Sequence, residues 1–178
     1  MQDKYIWNYL LSRWKNPYGV AAMMGNLMAE SSLNPLCANT KNKNYLSDAE
    51  KGIIDFVNDK VAFGLVQWCY YTRKRGLLNL AKEQNKSVGN IDVQLEYLCD
   101  EIKKYKTAHN AVLNGTDIRE ITETVMLKYE KPANTSEKAK TKRTNYAKQF
   151  YEKFSSGVKI TAGRNIWEEV KRSLDAEL

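Results

Sequence analysis

One histidine, three cysteines and three prolines are scattered through 178 residues, and these shortages exclude several kinds of chemistry. A histidine-rich metal centre has no ligands to draw on beyond His109. Cys37, Cys69 and Cys99 are odd in number and far apart, with no CxxC pair, so neither a disulfide framework nor a zinc site is signalled. A Cys/His peptidase dyad would have to use His109, which sits in the plain polar stretch Thr107-Ala108-His109-Asn110 and reads as a surface residue. No metal and no cofactor is expected. No run approaches the ~18 apolar residues of a membrane span, so membrane insertion is not expected. The N-terminus also lacks the basic segment followed by an apolar stretch of an export signal. An extracellular substrate would then require delivery, either as a module of a longer protein or by another device.

What is present suits one helix-rich domain, with 43% hydrophobic and 28% charged residues and a length within the prior of ~100–200 residues per domain. The net charge of +7 suggests an anionic partner without choosing among nucleic acid, a membrane surface and an acidic cell-wall polymer. The basic clusters, Lys103-Lys104-Tyr105-Lys106 and Lys138 through Lys148, also carry apolar residues at helical spacing and read first as outer helix faces.

Periodicity predicts a helix from Asp3 to Trp14, with Asp3 as a cap, and a second that Asn16-Pro17 starts, because proline is tolerated in a first turn. In the second, Val20, Met23, Met24, Leu27 and Glu30 share one face, and Ser32-Leu33-Asn34-Pro35 ends it. The stretch to Asp59 is polar and weakly periodic. Residues 52–59 are compatible with a short strand or hairpin, although Ser47-Asp48-Ala49-Glu50 just before them resembles a capping box. Further helices are expected over 69–82, 91–105, from the Thr116-Asp117 cap to Pro132, and 136–154. We expect a catalytic domain over 1–155, and a linker or amphipathic helix over 156–178 carrying Ile166, Trp167, Val170 and Leu174 at helical spacing.

Three constellations carry chemistry. Glu30 ends an apolar stripe with Met23 and Leu27 on its side, and an apolar setting is what keeps a carboxyl protonated for acid catalysis. On periodicity alone it also reads as a surface glutamate, although a helix C-terminus is an unfavourable place for one. In Asp59-Lys60-Val61-Ala62-Phe63-Gly64-Leu65-Val66-Gln67-Trp68, an amide beside an indole suits a sugar, and Asp59 suits orienting a water. Trp68 as a core aromatic and Asp59 as a turn residue remain open. In Tyr129-Glu130-Lys131-Pro132-Ala133-Asn134, Tyr129 can hydrogen-bond across a cleft, and Glu130 is either a cleft residue or a salt-bridged structural one.

Together these segments, with Gly25-Asn26-Leu27-Met28-Ala29-Glu30-Ser31-Ser32-Leu33-Asn34-Pro35 as the first, resemble the phage tail-tip lysozyme family. More distantly they resemble the goose-type lysozymes and soluble lytic transglycosylases. The resemblance covers about Tyr5 to Phe154. It implies a mainly α, two-lobed lysozyme-like fold with a small β-hairpin, and bacterial peptidoglycan as substrate. By it, Glu30 is the general acid and Gly64, Leu65, Val66 and Gln67 line the saccharide cleft; Ser31, Phe63, Trp68, Tyr129 and Glu130 are further candidate cleft residues, and Asp59 is our candidate for the base that hydrolysis needs. Ala62-Phe63 departs from the Gly-Tyr often seen in relatives and removes a phenolic hydroxyl. Hydrolysis by a lysozyme, or ring closure to a 1,6-anhydro end by a lytic transglycosylase, needs the same glutamate, so both stay open.

The implied setting is a phage tail, a phage lysis system or a conjugative element acting on the cell wall, with a second cell-wall hydrolase domain as a further partner. Two non-catalytic alternatives compete: a glycan-binding module and a basic nucleic-acid-binding domain. The second explains the charge but gives no reason for Glu30 on an apolar face, and no DNA-reading pattern appears. Nucleic acid is therefore not the expected partner.

Overall fold

The computed structural model describes residues 1–155, in which eight α-helices account for most of the chain. The expected helix over the tail 156–178 lies outside the described residues. Helix α1 (Gln2–Trp14) buries Ile6, Trp7, Leu10 and Trp14. Asp3 sits inside its first turn rather than capping it. Helix α2 (Pro17–Ser31) starts on Asn16, whose side chain accepts from the Tyr18 amide and donates to the carbonyls of Val112 and Gly115 at 3.1 and 2.9 Å.

Helix α2 is the spine. It is buried on nearly every side from Gly19 to Leu27 and is packed by α1, α6, α7 and α8. Glycine permits two of these approaches. A Cβ on Gly19 would lie 1.9 Å from the Val112 carbonyl oxygen, and one on Gly25 would lie 2.5 Å from that of Arg143. No larger residue fits while the helices keep these positions.

Helices α3 (Tyr45–Glu50) and α4 (Tyr71–Glu83) build a second lobe with the long segment between α2 and α4. Residues 52–59 form turns, not the hairpin considered above. The reason is local: Asp55 accepts from the amides of Val57 and Asn58 and from the Asn58 side chain, an arrangement that competes with strand pairing. The small β element lies later, where Phe63 and Trp68 exchange both backbone hydrogen bonds at 3.0 and 2.9 Å and Phe63 also pairs with Ala38. Gly64 and Gln67, both at positive φ, turn the chain between them.

Helix α5 (Ile91–Glu101), capped by Asn90, packs on both α4 and α1 and joins the lobes. The helix expected to run to Tyr105 is interrupted there: a 3₁₀ turn over 102–104 leads into α6 (Lys106–Asn114). The stretch around His109 is thus helical, because Ala108 and Val112 supply a buried stripe that its polar neighbours mask. Helix α7 (Ile118–Val125) is capped by Asp117 and continues as a π-turn over 126–130, which Lys131 ends in the left-handed conformation. Helix α8 (Glu137–Ser155) lies along α2. The whole is the mainly α, lysozyme-like architecture that the motifs implied.

Candidate active site

Glu30 occupies the last turn of α2, 19% exposed, beside the fully buried Leu27. Its Oε1 receives Arg143 Nη2 of α8 at 2.6 Å. Arg143 is itself nearly buried and aims Nη1 at the Asn26 side-chain and main-chain oxygens, at 3.2 and 3.4 Å. Asn26 is pinned in turn by donating to the carbonyls of Ala22 and Thr122. A fixed guanidinium thus stands against the carboxylate at the end of the spine, a charge-assisted contact of the strong kind.

A second cluster centres on Glu101 at the end of α5. Arg73 of α4 grips it with Nε to Oε1 at 2.8 Å and Nη2 to Oε2 at 2.7 Å. Oε2 also accepts from Trp68 Nε1 at 2.8 Å and the Tyr129 hydroxyl at 2.7 Å, while the Tyr97 hydroxyl reaches Oε1 at 3.3 Å. Burial alone would push this carboxyl up, but Arg73 and the Trp68 and Tyr129 donors outweigh it and hold it below the usual range. Arg73 also lies over the Tyr129 ring at 4.9 Å. One carboxylate therefore ties α4, α5, the 63–68 turn and the π-turn together.

Glu130, next to Tyr129 in the π-turn, is half-buried. Its Oε1 is buried and has no hydrogen-bond partner. Burial and the negative charge of Glu30 push its carboxyl up to about 8, against the opposing pull of Arg73 and Arg143.

Several expected cleft residues lie in the core. Phe63, Leu65, Val66, Trp68 and Tyr129 are all buried, so the view of Trp68 as a stacking platform gives way to a core aromatic whose N–H anchors Glu101. Ser31 Oγ is buried within reach of the carbonyls of Leu27 at 3.1 Å and Leu65 at 2.9 Å, which docks the turn onto α2. Gly64 is required because a Cβ there would meet the Gln94 amide oxygen at 2.7 Å, and that oxygen accepts the Leu65 N–H at 2.8 Å. Gln67 is half-buried and donates Nε2 to the carbonyls of Cys37 and Gly64.

Asp59 belongs to a separate network. Its Oδ2 accepts from the Tyr45 hydroxyl at 2.7 Å, and its Oδ1 from the Val61 amide at 2.9 Å and from Lys74 Nζ. Lys74 is wholly buried and donates further to the Tyr45 oxygen and the Val61 carbonyl, both at 2.9 Å. Burial pulls its ammonium pKa down, while Asp59 opposes that pull. A cavity of about 740 Å³ opens elsewhere in this lobe, lined by parts of 49–57 and 78–88, and reaches neither Glu30 nor Glu130.

Among the described residues no group of three His, Cys, Asp or Glu side chains forms a metal site, and no helix is long and apolar enough to cross a membrane. A glutamate at the end of a central helix, in helical packing of this kind, places the chain in the lysozyme-like class. More narrowly, it belongs to the phage tail lysozyme family, whose model matches residues 1–154. It is similar to morphogenesis protein 1 of Bacillus phage B103, 27% identical over 171 residues that cover 88% of this chain and 41% of that protein. The chain thus spans about two fifths of that relative's length.

Proposed function

We propose that the protein cleaves the β-1,4 bond between N-acetylmuramic acid and N-acetylglucosamine in bacterial peptidoglycan, with Glu30 as general acid. The observation that carries this is the position of Glu30: partly open to solvent, at the end of a buried helix, in a chain of the phage tail lysozyme family. A protonated Glu30 gives its proton to the leaving glycosidic oxygen as the bond breaks, and an oxocarbenium-like centre develops at the muramyl anomeric carbon. The +7 charge suits an anionic polymer. The morphogenesis protein of phage B103 supports a place in a phage particle, with the chain as one part of a larger cell-wall-opening protein.

The second half of the reaction separates two readings. Hydrolysis requires a base for water, and Asp59 was the candidate. Its carboxylate already accepts from Tyr45, Val61 and Lys74, which favours a role in holding the second lobe. That occupation supports the lytic transglycosylase alternative, in which the substrate's own 6-hydroxyl closes a 1,6-anhydro ring and no separate water base is needed. The test is digestion of purified peptidoglycan by the wild type and Glu30→Gln, with fragments read by mass spectrometry. Reducing ends support a lysozyme and anhydro ends a transglycosylase. Unchanged release by the variant would overturn the role of Glu30, and no release by the wild type would favour a glycan-binding module.

A further inference from the structure

We infer that Arg143 is a positioning residue of the same site: it holds one oxygen of Glu30, Oε1, and leaves the other, Oε2, as the atom that carries the proton to the glycosidic bond. The inference rests on Glu30 as the acid. Glu30 and Glu101 end α2 and α5 and are each met by an arginine, but the two pairs are closed differently. Arg73 donates through two nitrogens to both oxygens of Glu101, and Trp68 and Tyr129 add donors to Oε2. That carboxylate is 3% exposed and has no oxygen to spare. Arg143 carries the same fork, yet a single nitrogen, Nη2, reaches Glu30, on Oε1 at 2.6 Å. Oε2 of Glu30 meets no donor among the described residues, and it is not one of the buried unpartnered oxygens, so solvent reaches it.

Asn26 sets that asymmetry. Its amide nitrogen donates to the carbonyls of Ala22 and Thr122 at 3.0 and 3.2 Å, which turns Oδ1 toward Arg143. Arg143 Nη1 is drawn there, 3.2 Å from Oδ1 and 3.4 Å from the Asn26 carbonyl oxygen, so the guanidinium is fixed by a neighbour other than Glu30. One residue earlier, Gly25 lets the Arg143 backbone close on α2. A carbonyl of α7, an amide of α2 and a guanidinium of α8 therefore form one line of contacts that ends on Oε1. A glutamate at the end of a helix otherwise keeps much of its rotamer freedom. Here one oxygen is held and the other is left open.

The reaction uses the two oxygens unequally. In the acid form the proton sits on Oε2, while Oε1 is the carbonyl oxygen and still accepts from Arg143. As the proton passes to the glycosidic oxygen, the O–H bond of Glu30 breaks, the electron pair of the C–O bond leaves with the sugar oxygen, and Glu30 becomes a carboxylate. A guanidinium holds a carboxylate more strongly than a neutral carbonyl oxygen. The Arg143 contact therefore tightens while the proton moves, and an interaction that strengthens in the transition state raises kcat without tightening substrate binding. Arg143 acts through Oε1 and gives up no proton of its own.

The test measures kcat and KM on soluble peptidoglycan strands for the wild type, Arg143→Lys, Arg143→Gln and Glu30→Gln as full chains, with turnover expressed per folded molecule from circular dichroism. We expect Arg143→Gln to lose ~100-fold in kcat, the scale of one donor acting in the transition state, with KM within about threefold of the wild type. Arg143→Lys should recover about tenfold of that loss, since it returns the charge without the fork that spans Glu30 and Asn26. A merely structural role would give the Lys and Gln variants the same turnover per folded molecule. That result, a kcat for Arg143→Gln within about threefold of the wild type, or a loss confined to KM would overturn the inference. ¹H–¹⁵N NMR of the Arg143 guanidinium needs no substitution at that position. In the wild type its Nη protons should be resolved and protected from exchange, and in Glu30→Gln the Nη2 signal should move while Nη1, on Asn26, stays. An unprotected guanidinium, or one indifferent to Glu30→Gln, would overturn the inference even where Arg143→Gln fails to fold. Activity surviving in Glu30→Gln would instead defeat the general-acid reading, whereas an inactive Glu30→Gln beside a fully active Arg143→Gln defeats the role of Arg143 alone.

Discussion

Glu101→Gln changes one atom type at the point where five hydrogen bonds converge, and its cost follows from the geometry. Glutamine keeps the shape and one acceptor oxygen, but places an NH₂ group opposite donors. If the amide nitrogen takes the Oε2 position, Arg73, Trp68 and Tyr129 lose their acceptor; if it takes the Oε1 position, Arg73 Nε and Tyr97 do. Removing one member of a buried ion pair costs about 3–5 kcal/mol, and each buried donor left unsatisfied costs about 1–3 kcal/mol before relaxation. We expect a net loss of about 4 kcal/mol, which at roughly 2–4 °C per kcal/mol for a domain of this size lowers Tm by roughly 10 °C. Thermal melts followed by circular dichroism measure it, and a double-mutant cycle with Arg73→Gln isolates the pair.

The pH dependence has a definite sign. The Glu101 carboxyl lies below its ordinary value in the folded protein, so its contribution is present above the unfolded-state pKa of about 4.5 and is lost as pH falls through the lower folded value. The gap in Tm between wild type and Glu101→Gln should therefore narrow in acid. A variant that melts within about 2 °C of the wild type near pH 7, or a gap that widens on acidification, would refute the account of Glu101 as a buried charged hub.

Two further predictions concern the spine and the second lobe. Gly25→Ala puts a methyl 2.5 Å from the Arg143 carbonyl oxygen and 2.8 Å from Ala147 Cβ, so α8 must retreat and carry Arg143 away from Glu30. Stability should fall by about 1–3 kcal/mol, together with peptidoglycan cleavage, and a variant matching the wild type in both would show that the helices yield easily. Asp59→Asn should lower Tm, because the buried Lys74 loses its counter-charge, while leaving the chemical nature of the fragment ends as in the wild type. A folded, equally stable Asp59→Asn protein without activity would restore Asp59 as the base.

The helical class, the starts of α2 and α7 and the position of Glu30 were legible because each depends on local pattern: apolar stripes of period 3.6, Asn16-Pro17 and Asp117. The roles of the apolar cleft motif were less legible. Phe63-Gly64-Leu65-Val66-Gln67-Trp68 reads as a binding surface and also as a buried turn, and only the packing of Gln94 and Glu101 behind it decides between them. Glu101 and Arg143 were missed for opposite reasons. Arg143 is hidden in a lysine-rich helix that looks like a solvated face, although it sits four residues before Ala147, the small residue that packs on Gly25. Glu101 continues the spacing of Gln94, Tyr97 and Leu98, a buried face on which polar residues are easily mistaken for its edge.

The π-turn over 126–130 has a consequence for how this site tolerates change. In an α-helix, neighbouring residues point about 100° apart, and a π-turn accommodates one extra residue per turn. Here it lets Tyr129 reach Glu101 while Glu130, the very next residue, also turns one carboxyl oxygen inward, with Leu127 and Lys128 left outside. The phase of the chain at this point, as much as its chemistry, aims both groups. Deleting one of the two exposed residues would remove nothing from the core, yet it would rotate Tyr129 and Glu130 off their marks. Natural variation in this stretch should therefore be generous in residue type at 127 and 128 and strict in residue number.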